Sequence, residues 1–357
     1  MKKRPIVKGQ NEKGNKKIRI RVDKDELDHI NELRTLWNEA VDSGINPKEV
    51  KHGWIKNEGA SLFMKNHAYK EPEENKLEKT FEKLLEELKD YSPKYPKIKR
   101  IKSNDAHLLV VDPADVHLGK LCKAFETGEE YNEQIAVKRV KEGINGLLNK
   151  SQGFDIDKIL FVIGNDILHT DTPKRTTTSG TPQDTDGMWY DNFNTAVRLY
   201  IDIIETLVTV ADVYVVFNPS NHDYMSGFFT AQLIETHFRL SKNVTFNCDI
   251  SHRKYFTYGA NLIGTTHGDG AKTADLPQLM AHESKDWTNC KYRYIYTHHL
   301  HHKVSKDYMS VCVETLRSPS GTDSWHHKNG YQHAPKAIEG FLHHPIHGQI
   351  ARFTHLF

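Results

Sequence analysis

Five short clusters of aspartate, asparagine and histidine occur between residues 115 and 302. These residue types bind divalent metals and transfer protons. A single cluster of this kind is typical of a surface loop or a helix cap, but five in series indicate one shared site. In chain order they are Asp115 with His117, Asp166 with His169, Asn221 with His222 and Asp223, His267 with Asp269, and the run His298–His302.

Each cluster directly follows an apolar run that predicts a strand. The runs are Leu108–Val111, Ile159–Ile163, Val213–Phe217, Leu262–Thr265 and Tyr294–Thr297, with a sixth at Ser310–Val313. Helical spacing of apolar residues predicts helices over Glu133–Asn149, Asn192–Val208 and Phe228–Leu240. Strands alternating with helices are typical of an α/β layered domain, in which loops at the strand ends carry function. We therefore expect the five clusters to meet on one face.

The mixture of donor types suits hydrolysis of a phosphodiester. That reaction needs a nucleophilic hydroxide, neutralised phosphoryl oxygens and a stabilised leaving group, and two divalent cations about 3.5–4 Å apart supply all three. Imidazole and oxygen donors together suit manganese, iron or zinc better than magnesium or calcium. The clusters therefore favour a hydrolytic centre with two metals.

The order of the clusters resembles the metallophosphoesterase (calcineurin-like) superfamily over about residues 106–325. This resemblance implies a layered β-sandwich flanked by helices and two divalent cations, Mn²⁺ first, with Fe²⁺ or Zn²⁺ as alternatives. It implies one metal bound by Asp115, His117, Asp166 and His301. It implies a second metal bound by Asp166, Asn221, His267 and His299, so that Asp166 bridges. His222 would act beside the phosphate as a general acid or hydrogen-bond donor, and Asp223 would orient it.

A narrower resemblance is to the nuclease branch of that superfamily, the SbcD-like subunits of double-strand-break repair complexes. In that branch a histidine follows three residues after the bridging aspartate, as His169 follows Asp166 here. The resemblance assigns His169 to substrate positioning or proton transfer. The chain is also similar to phage-encoded proteins of the DNA repair exonuclease type, in which segments like 176–189 and 322–326 recur.

The chain departs from the family pattern at several places. Asn165 stands between Gly164 and Asp166, and Ser220 and His298 occupy positions where the family has glycine. About 56 residues follow His301 in the chain of 357, too few for the capping domain and ATPase-docking helices of SbcD-like enzymes. We therefore expect no ATPase partner.

The polar segment from Thr170 to Asn192 is the predicted substrate-binding loop. Lys174 and Arg175 are expected to contact backbone phosphates, and Trp189 to stack on a splayed base. The alternative is a flexible surface loop with Trp189 packed in the core. Lys120, just after the first cluster, either meets phosphate or is solvated.

The charge distribution separates the N-terminal region from the rest, although the net charge is only +2. Residues 1–22 are strongly basic and predict a flexible arm, solvated or in contact with nucleic acid. Residues 23–100 predict a helical accessory region, either a packing layer or a nucleic-acid-binding module, with helices around Leu27–Trp37 and over Glu73–Tyr91. Residues 101–357 form the predicted catalytic domain.

The remaining composition points to a cytoplasmic protein, in the host cytoplasm if it is phage-encoded. The four cysteines lie far apart, which argues against disulfides and a structural zinc site. No apolar run approaches 18 residues and no signal peptide is visible, so no membrane association is expected. The nuclease relatives often dimerise, which favours a homodimer.

Three functions follow from these patterns. The first is a metal-dependent DNA nuclease, acting as an exonuclease or on single strands. The second is a phosphatase, or a phosphodiesterase for cyclic nucleotides or other small molecules, on the same metal site. The third is a non-catalytic metal-binding protein that binds nucleic acid.

Overall fold

The structure is a computed structural model with two compact units, Met1–Asp90 and Tyr91–Phe357. It describes residues 92–357 except 102 and 104, and in the first unit four strands and seven single residues.

The first unit contains two antiparallel hairpins. One pairs β1 (Val7–Gln10) with β2 (Lys16–Arg19), and the other pairs β3 (His52–Lys56) with β4 (Ser61–Lys65). The predicted flexible arm therefore includes a hairpin, and the predicted helical region includes another. The single described residues are helical: Lys24, Asn31, Arg34, Thr35, Asn38, Val41 and Asp42. The helix predicted over Glu73–Tyr91 lies outside the described residues, and the division at residues 22 and 100 stays a prediction.

A six-stranded sheet forms the centre of the second unit. Its strands are β5 (Ala106–Asp112), β6 (Asp155–Gly164), β7 (Asp212–Asn218), β8 (Val244–Asn247), β14 (Ala337–His344) and β15 (Gly348–Leu356). Their order is β15-β14-β5-β6-β7-β8. Strands β5 to β8 are parallel, whereas β14 and β15 are antiparallel additions at one side.

A second sheet has five strands. They are β9 (Lys254–Tyr258), β10 (Asn261–Thr265), β11 (Tyr292–Thr297), β12 (Val304–Tyr308) and β13 (Val311–Thr315), in the order β12-β13-β11-β10-β9. Strands β10, β11 and β13 are parallel, and the two outer strands run antiparallel to them.

Six helices lie in the described part of the second unit. They are α1 (Ala124–Thr127), α2 (Glu133–Lys150), α3 (Trp189–Val210), α4 (Tyr224–Phe238), α5 (Leu276–Glu283) and α6 (Ser324–Lys328). Helix α2 begins where the Asn132 side chain accepts a hydrogen bond from the amide of Ile135, at 2.9 Å. Among the described residues, no helix is long and apolar enough to span a bilayer.

Alternating side chains of β5 build two of the three hydrophobic cores. Leu108 and Val110 pack between the two sheets with Tyr296 of the second sheet. Leu109 and Val111 point the other way, into the core formed with helices α2, α3 and α4. A third core lies between the second sheet and α5. This arrangement confirms the predicted α/β fold, a layered β-sandwich flanked by helices.

The described second unit contains more elements than the sequence predicts, including helices α1, α5 and α6. All six predicted strands and three predicted helices are present. Strands β8, β9, β12, β14 and β15 were not predicted. Strand β14 lies inside the sheet although its sequence includes Glu339, because that buried carboxylate pairs with Arg317 and Arg352. Such long-range pairing leaves no local signal.

His343 of β14 is a buried histidine without a charge partner. The Tyr296 hydroxyl lies 2.9 Å from its Nε2, and burial lowers its pKa to about 3. The ordinary histidine pKa of about 6.5 applies to the unfolded chain. The unfolded chain therefore takes up this proton first, and stability falls as the pH drops from about 6.5 towards 3.

We expect His343→Gln to weaken the acid sensitivity of folding. Between pH 7 and pH 5 the His343 proton should lower the wild-type free energy of unfolding by about 2 kcal/mol, since each pKa unit is worth about 1.4 kcal/mol. The variant should lose that much less over the same interval, as measured by urea denaturation at both pH values. An identical pH dependence in the two proteins would show that His343 is not the group responsible.

Candidate metal centre

The five predicted clusters meet at the end of the sandwich where the strands that precede them have their carboxyl ends. Strands β5, β6, β7, β10 and β11 each run directly into one of them. The carboxyl ends of parallel strands lie side by side, so their following loops converge.

The first group of potential ligands combines Asp115, His117 and His301, whose ligand atoms all lie within 4.8 Å of one another. The two imidazole Nε2 atoms are 3.1 Å apart, and Nε2 of His301 is 3.6 Å from Oδ1 of Asp115.

The second group combines Asp166, His267 and His299 in the same way. Nε2 of His267 lies 3.1 Å from Oδ2 of Asp166 and 3.0 Å from Oδ1 of Asn221. The same Oδ2 of Asp166 lies 3.9 Å from Nε2 of His117, in the first group. The Asp166 carboxylate therefore stands between the two groups, where the resemblance places a bridging ligand.

The backbone at these positions adopts a conformation that L-residues rarely take. Left-handed φ angles for residues other than glycine occur at Asp115 (51°), His117 (48°), Asn165 (55°), Asp166 (60°), His299 (71°) and His301 (56°). Each residue held in such a conformation destabilises the fold by about 1–3 kcal/mol, and residues of this kind cluster at functional sites. Two loops hold each other in place, since the amide of His117 donates to the carbonyl of Asp166 at 2.9 Å.

Gly164 allows this arrangement at the end of β6. Its φ is 91°, and a Cβ there would lie 2.0 Å from the backbone oxygen of Asn218. No other residue fits without moving β7.

The departures from the family pattern are accommodated by specific contacts. Ser220 accepts a hydrogen bond from the amide of Asp166 at 2.7 Å and donates one to Oδ1 of Asp223 at 2.6 Å. His298 is buried, with Nε2 3.0 Å from Oδ1 of Asp112. The loop geometry that the absent glycines put in question is therefore built with polar side chains.

The electrostatics of the centre fit divalent cations. Burial raises the pKa of Asp115 to about 7. Burial also opposes ionisation of Asp166, but His267 and His222 bring its pKa well below the usual range. For His117 and His301, burial and neighbouring positive groups hold the pKa far below the ordinary value. The neutral imidazoles of His117 and His301 are the donor forms that a divalent metal requires. Although burial opposes protonation of His267, Asp166 raises the pKa of that imidazole to about 9, so a metal bound there would displace that proton.

His222 lies beside both groups and is partly exposed. Its Nδ1 donates to the carbonyl oxygen of His169 at 2.9 Å, because a carbonyl can only accept. Its amide donates to Oδ1 of Asp166 at 2.9 Å. Among the described residues, none hydrogen-bonds the remaining ring nitrogen, Nε2, which can therefore face a substrate.

His169 is buried behind the centre. Its Nδ1 lies 3.4 Å from Nδ1 of His117, and its ring stacks on that of His222 with centroids 5.3 Å apart. It can therefore orient both rings. The predicted role in substrate positioning or proton transfer stays a prediction.

The predicted orientation of His222 by Asp223 is wrong. The Asp223 carboxylate accepts hydrogen bonds from the amide of Leu168 at 2.8 Å and from the hydroxyl of Ser220 at 2.6 Å. It therefore holds the backbone that follows Asp166, and the His169 carbonyl orients the imidazole. Burial, reinforced by the charge of Asp166, raises the pKa of Asp223 to about 7.

The predicted substrate loop is anchored beside His222. The Asp171 carboxylate accepts from the amides of Met225 and Ser226 at the start of α4, the latter at 2.7 Å. The amide of Thr178 donates to the carbonyl of Asn221 at 3.2 Å. The loop therefore lies next to the metal centre.

The three predicted substrate contacts lie at the surface. Lys174 is exposed, and a guanidinium nitrogen of Arg175 lies 3.6 Å from the sulfur of Met188. Trp189 is 46% exposed and contacts Tyr190 edge to face. The alternative with Trp189 in the core is wrong, while the contact with substrate stays a prediction.

Sequence reasoning missed a buried ion pair next to the centre. Lys120 is only 1% exposed, and its Nζ lies 2.8 Å from Oδ2 of Asp323. Oδ1 of Asp323 lies 2.7 Å from Nδ1 of His326, whose ring stacks on that of His301 with centroids 5.1 Å apart. Lys120 is therefore neither solvated nor free to meet phosphate. The only sequence signal was the recurrence of segment 322–326.

A separate histidine group lies outside the centre, at Asp105, His107 and His344. Nδ1 of His344 accepts from the amides of Ile346 and His347, so its proton sits on Nε2, which lies 3.4 Å from Asp105. Both ring nitrogens of His344 therefore already have polar partners.

Comparison with solved structures finds proteins of similar fold. One is a novel archaeal phosphodiesterase, with a TM-score of 0.33 and 8% identity, covering 70% of this chain and 99% of that one. Another is Vps29 from Entamoeba histolytica complexed with Zn²⁺, with a TM-score of 0.29, 12% identity, and coverage of 70% and 98%. A third is a predicted phosphoesterase from Streptococcus pneumoniae TIGR4, with a TM-score of 0.26, 11% identity, and coverage of 72% and 100%.

No protein-family model matches the sequence, and no curated protein matches it either. Likeness at these identities concerns the fold alone, so the function must be inferred from the site residues.

We expect Mn²⁺ to stabilise the protein through Asp166. A metal that binds only the folded state at 100 times its dissociation constant adds about 2.7 kcal/mol. Titration calorimetry should give two ions per chain, and Asp166→Ala should remove most of the binding and of the Mn²⁺-induced rise in Tm. The matched control is Asp105→Asn, which should bind like the wild type. Loss of binding in the control instead of in Asp166→Ala would place the metal at the other histidine group.

Proposed function

We propose that the protein is a dinuclear-metal-dependent phosphodiesterase whose substrate is DNA. The observation that carries this proposal is the position of the Asp166 carboxylate, with one oxygen 3.1 Å from Nε2 of His267 and 3.9 Å from Nε2 of His117. One carboxylate shared by two imidazole-containing groups is the arrangement that holds two cations close together.

The residues fit that cofactor. Asp115, His117 and His301 would hold one cation, and His267, His299 and Asn221 the other, with Asp166 shared. When bound, two divalent cations neutralise phosphoryl oxygens and make a bound water more acidic.

His222 supplies the proton chemistry in this proposal. Its Nδ1 is committed to the His169 carbonyl, so the tautomer is set and Nε2 is left to face a phosphate. In the protonated form, Nε2 can donate to a phosphoryl oxygen or to the leaving oxygen. Its amide donates to Asp166, which ties the position of the imidazole to that of the shared ligand.

Two features favour DNA over a small phosphoester. His169 follows three residues after Asp166, as in the nuclease branch that the sequence resembles. The loop anchored next to His222 carries exposed Lys174 and half-exposed Trp189, which suit a phosphate and an unstacked base. A polymer would contact this loop and the metal centre together.

We expect the protein to cleave end-labelled DNA in the presence of Mn²⁺, and His222→Ala to lower kcat about 10²–10⁴-fold, the usual contribution of a general acid. His282→Ala, at an exposed histidine of α5, is the matched control and should behave like the wild type. The label pattern would give the direction of cleavage.

Bis(p-nitrophenyl) phosphate separates the alternatives. Hydrolysis of this compound without cleavage of DNA would keep the phosphodiesterase and reject the DNA substrate. Failure on both substrates with Mn²⁺ bound would favour the non-catalytic alternative.

We expect Trp189→Ala to raise the KM for single-stranded DNA about 5- to 100-fold, because stacking of one base contributes about 1–3 kcal/mol. A steady-state series on oligonucleotides measures this effect. Phe229→Ala, which removes an exposed aromatic from α4, is the control. Equal losses in both variants would show that Trp189 makes no specific contact.

A further inference from the structure

A cavity adjoins the metal centre, and His301 is one of the residues that line it. Its volume is about 300 Å³, at the lower end of the range for small-ligand pockets. Its lining includes Leu300, His301, His302, His326, Tyr331 and Lys336. Because His301 is also a predicted metal ligand, a group bound in this cavity would lie next to a phosphate held at the metals.

Tyr331 lines the cavity and belongs to an exposed aromatic pair with Trp325, which does not itself line the cavity. The rings of Trp325 and Tyr331 stack with centroids 5.7 Å apart and planes at 27°. Trp325 is 61% exposed and Tyr331 65%, although burial of such large rings is strongly favourable. A stacked pair of exposed rings offers a planar surface on which another aromatic ring can lie.

Hydrogen bonds and an ion pair hold the Trp325–Tyr331 pair in position. The Asp323 side chain caps α6 by accepting from the amide of His326 at 2.8 Å, and the same carboxylate pairs with buried Lys120. The amide of Tyr331 donates to the carbonyl of His326 at 2.9 Å. Lys120 lies three residues after His117, so its ion pair with Asp323 connects the segment of the aromatic pair to the metal-binding loop. Because the aromatic pair is already ordered, less conformational entropy is lost when a ligand binds to it.

The charge of the cavity suits an anion. Among the described residues that line it, none is acidic, and Lys336 contributes a cation with a mostly buried stem. The Lys336 ammonium lies 3.9 Å from a carboxylate oxygen of Glu129, at the outer limit of an ion pair. Its Nζ also donates to the hydroxyl of Thr322 at 3.3 Å, and it is the lysine among the described lining residues that a phosphate would approach.

We propose that this cavity binds the nucleotide next to the scissile phosphodiester, with its base on the Tyr331 ring that Trp325 supports and its phosphate near Lys336. This inference rests on the proposed function and names its substrate more closely. A base can stack on a side chain only after leaving its own helix, so the substrate is single-stranded or locally unpaired nucleic acid.

The test compares Tyr331→Ala and Trp325→Ala with the wild type. On a single-stranded oligonucleotide, kcat/KM should fall about 5- to 100-fold in each variant, through KM more than kcat. The loss on bis(p-nitrophenyl) phosphate should be smaller, since that compound has no base. Tyr331→Phe should restore activity because it keeps the ring, and Phe229→Ala should match the wild type on both substrates.

A binding measurement keeps this inference separate from the proposed function. Fluorescence anisotropy of a labelled oligothymidylate, with Mn²⁺ and the His222→Ala background, should show a weaker Kd when Tyr331→Ala is added. Binding that depends on Tyr331, together with a wild-type protein that cleaves neither substrate, would reject the proposed reaction and keep the cavity as a base site. Binding or kcat/KM unaffected by Tyr331→Ala and Trp325→Ala, or equal losses on both substrates, would overturn the inference.

Discussion

The buried carboxylate of Asp166 is the group on which the rest of the centre depends. Oδ2 faces imidazoles from both ligand groups, and Oδ1 accepts from the amide of His222. Burying a carboxylate costs several kcal/mol unless positive charge and hydrogen bonds compensate it. Here the compensation comes from His267, whose pKa is raised to about 9 because Asp166 outweighs burial. The same requirement for positive charge makes the site suitable for cations.

Holding that carboxylate in position requires an unusual backbone. Six residues of the centre have left-handed φ angles, and Gly164 sits where any side chain would strike β7. The two mixed sheets stabilise these strained loops, since every strained residue of the centre follows a strand from the parallel part of a sheet. The polar contacts of Ser220 and Asp223 add local support. The fold therefore serves the site by making the strained conformation the best available one.

Most of the strands around the centre and most of its potential ligands could be predicted from the sequence. Apolar runs predicted six of the strands in the two sheets, and the aspartate, asparagine and histidine clusters predicted the potential ligands. Both signals depend on patterns within a few residues. The roles of single polar residues were less accessible. The sequence predicts that Asp223 orients His222, but Asp223 binds the backbone of Leu168. It predicts that Lys120 either contacts phosphate or is solvated, but Lys120 is buried against Asp323.

The sequence by itself determined the layered α/β architecture, the strand-end placement of the clusters and the donor set suited to divalent cations. Only the tertiary structure decided which polar atoms face each other, such as the His169 carbonyl and His222, and that Tyr331, stacked on Trp325, lines a cavity with His301. The physical reason is distance along the chain. Ser318 donates to the carbonyl of Asp115 across 203 residues, and no local pattern encodes a contact of that span.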